Sequence, residues 1–207
     1  MSKLEDEREQ AFKSIYEDGY WGEKGSSGAG STLDATKVTR DVITKIISDY
    51  KIKSIVDVAC GDFVWMPLVL QEFSSIQYRG CDIVASLIEQ HKLNYPQYSF
   101  QHLDFVNEGI PSGEMIICRD VLQHLPVKDI QKALRSFSES GARYLLATTH
   151  IRRHGIRNKR NIRPGRCRDR NLLLPPFNLP DPIVIYSEKY PEQHKFLGLW
   201  ELPFQEV

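Results

Sequence analysis

The stretch "SIVDVACGDFVWM", residues 54–66, decides the fold of this chain. It opens as an apolar strand that carries a carboxylate, Asp57, near its end. Three small residues follow at 59–61, and a second acid, Asp62, comes directly after them. A carboxylate inside an apolar strand is costly unless a partner satisfies it. The stretch therefore predicts a buried strand and a tight turn, with a partner for Asp57 supplied either by the protein or by a ligand.

The composition is typical of one soluble globular domain, with 207 residues, 41% apolar and 26% charged. The 27 basic residues equal the 27 acidic ones, so net charge gives no attraction toward nucleic acid or membrane. The first residues, "MSKLEDEREQ", lack the apolar core of a signal peptide. The four cysteines are scattered without CxxC spacing. We therefore expect a cytoplasmic protein with reduced cysteines and no metal site.

Strand-like and helix-like segments alternate along the chain. Strands are predicted at 54–58, 77–82, 98–102, 114–118 and 143–149, and helices at 34–50, 64–72, 84–93 and 127–140. This alternation predicts an α/β fold with a mostly parallel sheet covered by helices on both faces. Near the end, "PIVIYSE" and "KFLGLWEL" are joined by a polar link at 189–194 and predict an antiparallel hairpin at the sheet edge.

The chain is expected to form one domain, residues 1–207, in three parts. Residues 1–33 hold a charged helix and a Gly/Ser-rich loop that can act as a lid over a site. Residues 34–150 form the cofactor-binding core. Residues 151–207 hold a basic segment on the acceptor side and the terminal hairpin.

Acids recur where the successive predicted strands end. Asp57, Asp82, Asp104 and Asp120 lie at or just beyond the ends of the first four strands, in that order. In an open α/β sheet, ligands bind beyond the carboxyl ends of the strands. Asp82 comes about 20 residues after the first turn, where an acid can hold ribose hydroxyls. Asp104 can accept from the exocyclic amine of adenine. Together these acids predict a site for a nucleoside with a cationic or amine-bearing tail.

The first turn argues against a dinucleotide. It reads "ACGDF" in place of G-x-G-x-x-G, and acids on both sides of it would repel a pyrophosphate. The same carboxylates suit the sulfonium and ammonium groups of S-adenosylmethionine.

Four motifs carry a resemblance to class I S-adenosylmethionine-dependent methyltransferases. "VDVACGDF", "GCDI", "LDF" and "CRDVLQHLP" resemble that family's successive motifs in order and spacing. The chain also resembles a small group found alone or joined to glycosyltransferase domains, on "GSSGAGSTLDAT", on "CGD" followed by tryptophan, and on "PPFNLP". Ala59 and Phe63 stand where the first motif usually has glycine. Phe63 is expected either to narrow the turn or to replace a glycine that the ligand does not need.

The resemblance implies a Rossmann-like class I methyltransferase fold, with a mostly parallel seven-stranded sheet and an antiparallel C-terminal hairpin. It implies S-adenosyl-L-methionine as the cofactor. The positions expected to hold it are Trp21, Ser31, Thr36, Arg40, Asp57, Ala59, Cys60, Gly61, Asp62, Trp65, Asp82, Ile83, Asp104, Phe105 and Arg119. Thr36 and Arg40, one helical turn apart, are expected to reach the methionine carboxylate.

Methyl transfer to a hydroxyl also needs a base. Asp120, His124 and His150 are the candidate catalytic residues, because they follow the fourth and fifth strands. The fourth strand lacks the N/D-P-P-Y/F pattern of many enzymes that methylate exocyclic amines of bases. This favours O-methylation of a sugar, a glycan or a similar small acceptor.

The basic segment, residues 150–171, leaves alternatives open. Its nine Lys and Arg residues face a single acid, Asp169, so it can neutralise phosphates of RNA, a nucleotide-linked sugar or an anionic glycan. It can also be a solvated insertion over the acceptor side. An RNA methyltransferase and a cofactor-binding scaffold without turnover therefore remain alternatives to the sugar O-methyltransferase, and glycosyltransferases are the partners that the resemblance implies.

Overall fold

The computed structural model describes residues 3–23, 25–188 and 194–204. The helices are α1 (Lys3–Asp18), α2 (Lys37–Tyr50), α3 (Met66–Gln71), α4 (Ala85–Asn94) and α5 (Val127–Glu139). The strands are β1 (Ser54–Val58), β2 (Gln77–Asp82), β3 (Ser99–His102), β4 (Met115–Cys118), β5 (Tyr144–His150), β6 (Val184–Ser187) and β7 (Lys195–Glu201). Short 3-10 turns occur at Ala29–Ser31 and Leu122–His124.

The strands form one seven-stranded sheet in the order β3-β2-β1-β4-β5-β7-β6. Strands β1 to β5 pair in parallel, and β7 runs antiparallel to both β5 and β6. The predicted α/β class, the seven strands and the antiparallel C-terminal hairpin are therefore confirmed. Most of the predicted polar link, residues 189–193, lies outside the described residues.

Successive residues of the central strands supply two apolar layers. In β4, Met115 and Ile117 pack with α2 and α3 on one face, while Ile116 and Cys118 pack with α5 on the other. This follows from the two-residue period of a strand, and from burial on both faces of a parallel sheet. The carboxyl ends of the strands are thereby held in register as a rigid edge. Within the described residues, no helix is long and apolar enough to cross a membrane.

Candidate active site

A cavity of about 300 Å³ lies at the carboxyl edge of the sheet, roofed by α1 and the Gly/Ser-rich loop. Thirteen of the fifteen predicted cofactor residues line it: Trp21, Ser31, Asp57, Ala59, Cys60, Gly61, Asp62, Trp65, Asp82, Ile83, Asp104, Phe105 and Arg119. The three candidate catalytic residues, Asp120, His124 and His150, line it as well. The structure therefore brings most of the predicted site together in one place.

Asp57 is the buried carboxylate of β1 whose partner the sequence left open. Its Oδ2 accepts a hydrogen bond of 2.9 Å from the hydroxyl of Tyr78. Burial raises the pKa of Asp57 to about 7, although the Tyr78 hydroxyl and the charge of Arg119 act in the opposite direction. The protein thus supplies a neutral hydroxyl to a carboxylate that lines the cavity. A cationic ligand group would complete the pairing.

Asp82 fixes the turn that follows β1. Its Oδ2 accepts from the backbone N–H of Gly61 at 3.0 Å, and its Oδ1 accepts from the backbone N–H of Val84 at 3.0 Å. His91 Nε2 lies 2.7 Å from the carbonyl oxygen of Gly61 and holds the other side of the turn. Burial raises the pKa of Asp82, against the lowering effect of these backbone donors. The second strand-end acid is therefore anchored by the turn and still lines the cavity.

The Gly/Ser-rich loop is fastened over the same turn. Ser27 N–H donates to Asp62 Oδ2 at 2.7 Å, and Asp62 N–H donates back to Ser27 Oγ at 2.8 Å. Ser31 Oγ donates to Asp62 Oδ2 at 3.0 Å, and the hydroxyls of Tyr16 and Ser27 lie 2.8 Å apart. Asp62 is therefore engaged by the loop. The loop closes the cavity above Gly61.

Gly61→Ala is expected to destabilise the folded protein more than Gly141→Ala does. Both glycines have positive φ, 59° and 78°, so alanine costs about 1 kcal/mol at either site. At Gly61 the new Cβ would also lie 2.3 Å from Ser27 Oγ, whereas at Gly141 no atom of the described residues beyond its chain neighbours lies within 4 Å. Urea unfolding should show an additional loss of about 1 kcal/mol or more for Gly61→Ala. Equal losses of stability in the two variants would mean that Ser27 and its loop move aside from the new Cβ without a cost in free energy.

Asp120 is held by cations at the end of the cavity next to β4 and β7. It accepts from Lys195 Nζ at 2.7 Å and lies 3.1 Å from Arg119 Nη1. Gln123 Nε2 donates to its other oxygen at 2.9 Å. Burial alone would raise the pKa of Asp120, but Arg119 and Lys195 hold it well below its usual range. A carboxylate stabilised in this way is a weak base. The contacts of Asp120 instead support a structural role, in which it positions Lys195 and Arg119.

The two candidate histidines differ in their surroundings. The His124 ring lies 4.9 Å from the Trp21 ring between centroids, and its buried Nδ1 has no hydrogen-bond partner among the described residues. Burial lowers the pKa of His124 to about 4. His150 Nδ1 lies 3.3 Å from the backbone oxygen and nitrogen of Arg170, and burial lowers the pKa of His150 as well. Both rings are therefore neutral at neutral pH.

The side chain of Arg119 links three parts of the structure beside the cavity. Its Nε donates to Glu188 Oε1 at 2.7 Å, and its Nη2 donates to the carbonyl oxygen of Gly30 at 3.1 Å. The guanidinium lies 5.7 Å from the centroid of the Trp65 ring. Arg119 thus ties the end of β4 to β6 and to the loop over the cavity, beside Asp120.

Thr36 and Arg40 are the predicted cofactor residues that the described part of the chain does not place at the cavity. Thr36 Oγ1 donates to the carbonyl oxygen of Thr32 at 2.8 Å. Arg40 Nη1 donates to Thr36 Oγ1 at 2.8 Å and to the carbonyl oxygen of Leu33 at 2.7 Å. Both side chains therefore stabilise the start of α2 and do not line the cavity. Among the described residues, the lysine and arginine side chains that do line it are Arg8, Arg119 and Lys195.

Phe63 does not narrow the turn. It has a φ of 55°, and its side chain is buried against the rings of Tyr78, Tyr95 and Phe100, with centroids 4.9–5.3 Å apart. Its side chain therefore packs in the core, and Phe63 is not among the described residues that line the cavity.

Sequence reasoning missed several residues that line the cavity. Arg8, Phe12 and Tyr16 lie four residues apart on one face of α1, a spacing that was visible in the sequence. Gln123, Cys167, Asp169 and Lys195 also line the cavity. Asp169 and Lys195 come from chain segments after β5; the basic segment was predicted to lie on the acceptor side, but neither of these residues was singled out as lining the site.

The fold defined by this sheet and site is the Rossmann-like methyltransferase fold. No family model matches the sequence, and no curated protein matches it. Among solved structures, the magnesium protoporphyrin IX methyltransferase of Synechocystis PCC 6803 with bound S-adenosylmethionine (SAM) matches with a TM-score of 0.66 and 12% identity, over 95% of this chain and 97% of that chain.

Two further solved structures share the fold. The 1,6-didemethyltoxoflavin-N1-methyltransferase of Burkholderia thailandensis, with bound S-adenosylhomocysteine (SAH), matches with a TM-score of 0.67 and 11% identity, over 94% of this chain and 86% of that chain. Human N-acetylserotonin methyltransferase in complex with SAM matches with a TM-score of 0.61 and 12% identity, over 82% of this chain. The present chain spans about half of that human chain, 53%.

Proposed function

We propose that this chain is a SAM-dependent methyltransferase that transfers a methyl group to a hydroxyl of a sugar, a glycan or a similar small acceptor. The observation that carries the proposal is the row of strand-end carboxylates along one cavity, in which Asp57 has a raised pKa and a neutral partner. The solved structures with the same fold support it, since several were crystallised with SAM or SAH.

Each part of the cofactor has a candidate partner in the cavity. Asp57 and the backbone of residues 59–61 would hold the methionine ammonium, and Asp82 would hold the ribose hydroxyls. Asp104 would accept from the adenine amine, with Phe105 beside the ring. The bound cofactor supplies a methyl group that is already activated, so the protein has mainly to position the acceptor and exclude water.

His150 is the proposed base for the acceptor hydroxyl. Its Nδ1 lies 3.3 Å from both the carbonyl oxygen and the N–H nitrogen of Arg170. The proposed tautomer carries its proton on Nδ1, so that Nε2, which lies 3.9 Å from Asp169 Oδ1, can take the proton of the attacking hydroxyl. His150 is 3% exposed, and burial lowers its pKa, so the ring is neutral at neutral pH. Asp120 is paired with two cations and is the weaker base.

Calorimetric titration with SAM, SAH and NAD tests the proposal. Micromolar affinity for the two sulfur ligands and none for NAD is expected, because the carboxylates favour a cation and repel a pyrophosphate. Glycans and sugar nucleotides are the acceptors to screen first, because the sequence resembles a group found with glycosyltransferases. Failure to bind either sulfur ligand would overturn the proposal while leaving the fold unchanged.

RNA is the second candidate acceptor, because the basic segment is largely exposed. Its exposed cations are Arg152, Arg153, Arg157, Lys159, Arg160, Arg163 and Arg166. The segment reaches the cavity through Cys167 and Asp169. RNA affinity that falls steeply as salt rises would favour this acceptor over a neutral glycan. Arg170 belongs to the fold instead, since its buried guanidinium donates to the carbonyl oxygens of Leu125 and Asn158.

A further inference from the structure

A buried arginine of α1 lies at the adenine end of the proposed site. Arg8 is 3% exposed, and its Nη2 donates to Asp104 Oδ2 at 2.5 Å. Its Nη1 donates to Asp129 Oδ2, in the first turn of α5, at 2.8 Å. The guanidinium thus bridges a carboxylate of the cavity and a carboxylate of a neighbouring helix.

Asp104 receives donors on both of its oxygens. Besides Arg8, the side-chain amide of Asn107 donates to Oδ2 at 2.9 Å, and the backbone N–H of Val106 donates to Oδ1 at 3.1 Å. A carboxylate surrounded by N–H donors offers only acceptor lone pairs to a ligand. Asp104 therefore suits a base edge that carries an amine and disfavours one that carries a carbonyl oxygen.

The third nitrogen of the Arg8 guanidinium, Nε, is a second indication that a ligand binds here. This nitrogen is buried and has no hydrogen-bond partner within the described residues. A buried charged donor left unpaired is unfavourable, and a ring nitrogen of a purine is an acceptor of the kind that would pair with it. Arg8 itself lines the cavity, as do Phe12 and Tyr16 on the same face of α1. The roof of the adenine end is therefore built from this helix.

We propose that Arg8 is a positioning residue that makes the site selective for adenine over oxo-purines. It acts by fixing the orientation of the Asp104 carboxylate, which accepts from its Nη2. The inference rests on the proposed function, because it takes an adenosyl cofactor as the ligand of this cavity. Without Arg8, the Asp104 carboxylate loses the guanidinium that fixes its orientation, so the amine of adenine loses an aligned acceptor while a carbonyl oxygen at the same position loses nothing.

The test compares the affinities for SAH and S-inosylhomocysteine, whose purines carry an amine and a carbonyl oxygen at position 6, the oxo-purine also carrying a hydrogen on N1. The unaltered protein should prefer SAH by about 100-fold, because a site built to accept from an amine rejects a base without one. Arg8→Met should reduce this preference to less than about fivefold by weakening SAH binding far more than S-inosylhomocysteine binding.

Two further variants complete the test. Lys13→Met removes an exposed cation from the same helix and should leave the preference unchanged. Arg8→Lys keeps one cation, which cannot bridge both carboxylates as a guanidinium does, and should give an intermediate preference even if Arg8→Met does not fold. Equal loss of both ligands in the Arg8 variants would overturn the inference and leave Arg8 as a support of α1. No SAH binding by the unaltered protein would overturn the proposed function and this inference with it.

Discussion

Asp57→Asn is expected to weaken SAH binding at pH 8 by about 100-fold or more. The carboxylate lies in the cavity with a neutral hydroxyl as its partner, so the ammonium of the ligand would be its main countercharge. A charge-assisted hydrogen bond to a buried group contributes about 3 kcal/mol, which corresponds to about 100-fold in affinity. Calorimetric titration of both proteins with SAH measures the effect. Asp41→Asn, at an exposed position on α2, serves as the control.

Asp57→Asn should also be more stable than the unaltered protein in the absence of ligand. The pKa of folded Asp57 is raised from 3.8 to about 7, so the folded state holds a proton that the unfolded state has already lost between these values. Stability therefore falls as pH rises through this window and levels off above it. Between pH 5.5 and pH 8, the advantage of Asn over Asp should grow by roughly 2 kcal/mol in urea unfolding.

The ligand should show the matching pH dependence. SAH affinity of the parent protein is expected to rise with pH up to about 7 and then to level off, because only the ionised Asp57 pairs with the ammonium. An Asn variant that is less stable than its parent at pH 8, and that binds SAH within threefold of it, would contradict this account of the carboxylate.

The strands and the acids at their ends were predictable because both follow from local physics. Central parallel strands are apolar on both faces, and β1 was predicted with its observed bounds. The bounds of β2 were also predicted as observed, and the predicted range of β5 was displaced by one residue. The acids follow directly from these bounds, because the carboxyl ends of parallel strands meet at one edge. Asp57, Asp82 and Asp104 accordingly line one cavity.

The parts of the site that escaped prediction depend on how distant elements dock. The spacing of Thr36 and Arg40 correctly placed them one turn apart at the start of α2, where Thr36 is the N-cap residue, but spacing alone does not tell which way that face points. Arg8 lies in a highly charged segment, where the sequence does not distinguish a buried arginine from a solvent-exposed one. Its burial follows only from its ion pairs with Asp104 and Asp129, which are distant in the chain. Lys195 reaches the site because β7 pairs with β5, a contact between residues far apart in the chain.

His150→Gln is expected to lower kcat by about 10²- to 10⁴-fold while leaving SAH affinity within twofold. The neutral imidazole of His150 is the proposed base, whereas glutamine keeps a polar side chain at the end of β5 but cannot take up the proton. Activity is measured as SAH release with the acceptor found in the glycan and sugar-nucleotide screen. His124→Gln is the matched control, because His124 also lines the cavity and is also neutral.

The pH profile separates a base from a residue that only shapes the cavity. Burial lowers the pKa of His150, so kcat of the parent should fall on the acid side at a pH below 6.5, as the ring becomes protonated. This acid limb should disappear in His150→Gln and persist in His124→Gln. Asp120 cannot produce such a limb near neutrality, because Arg119 and Lys195 hold its pKa well below the usual range. If the limb persists in His150→Gln, or if kcat falls less than threefold, the base is another group and His150 only contributes to the wall of the cavity.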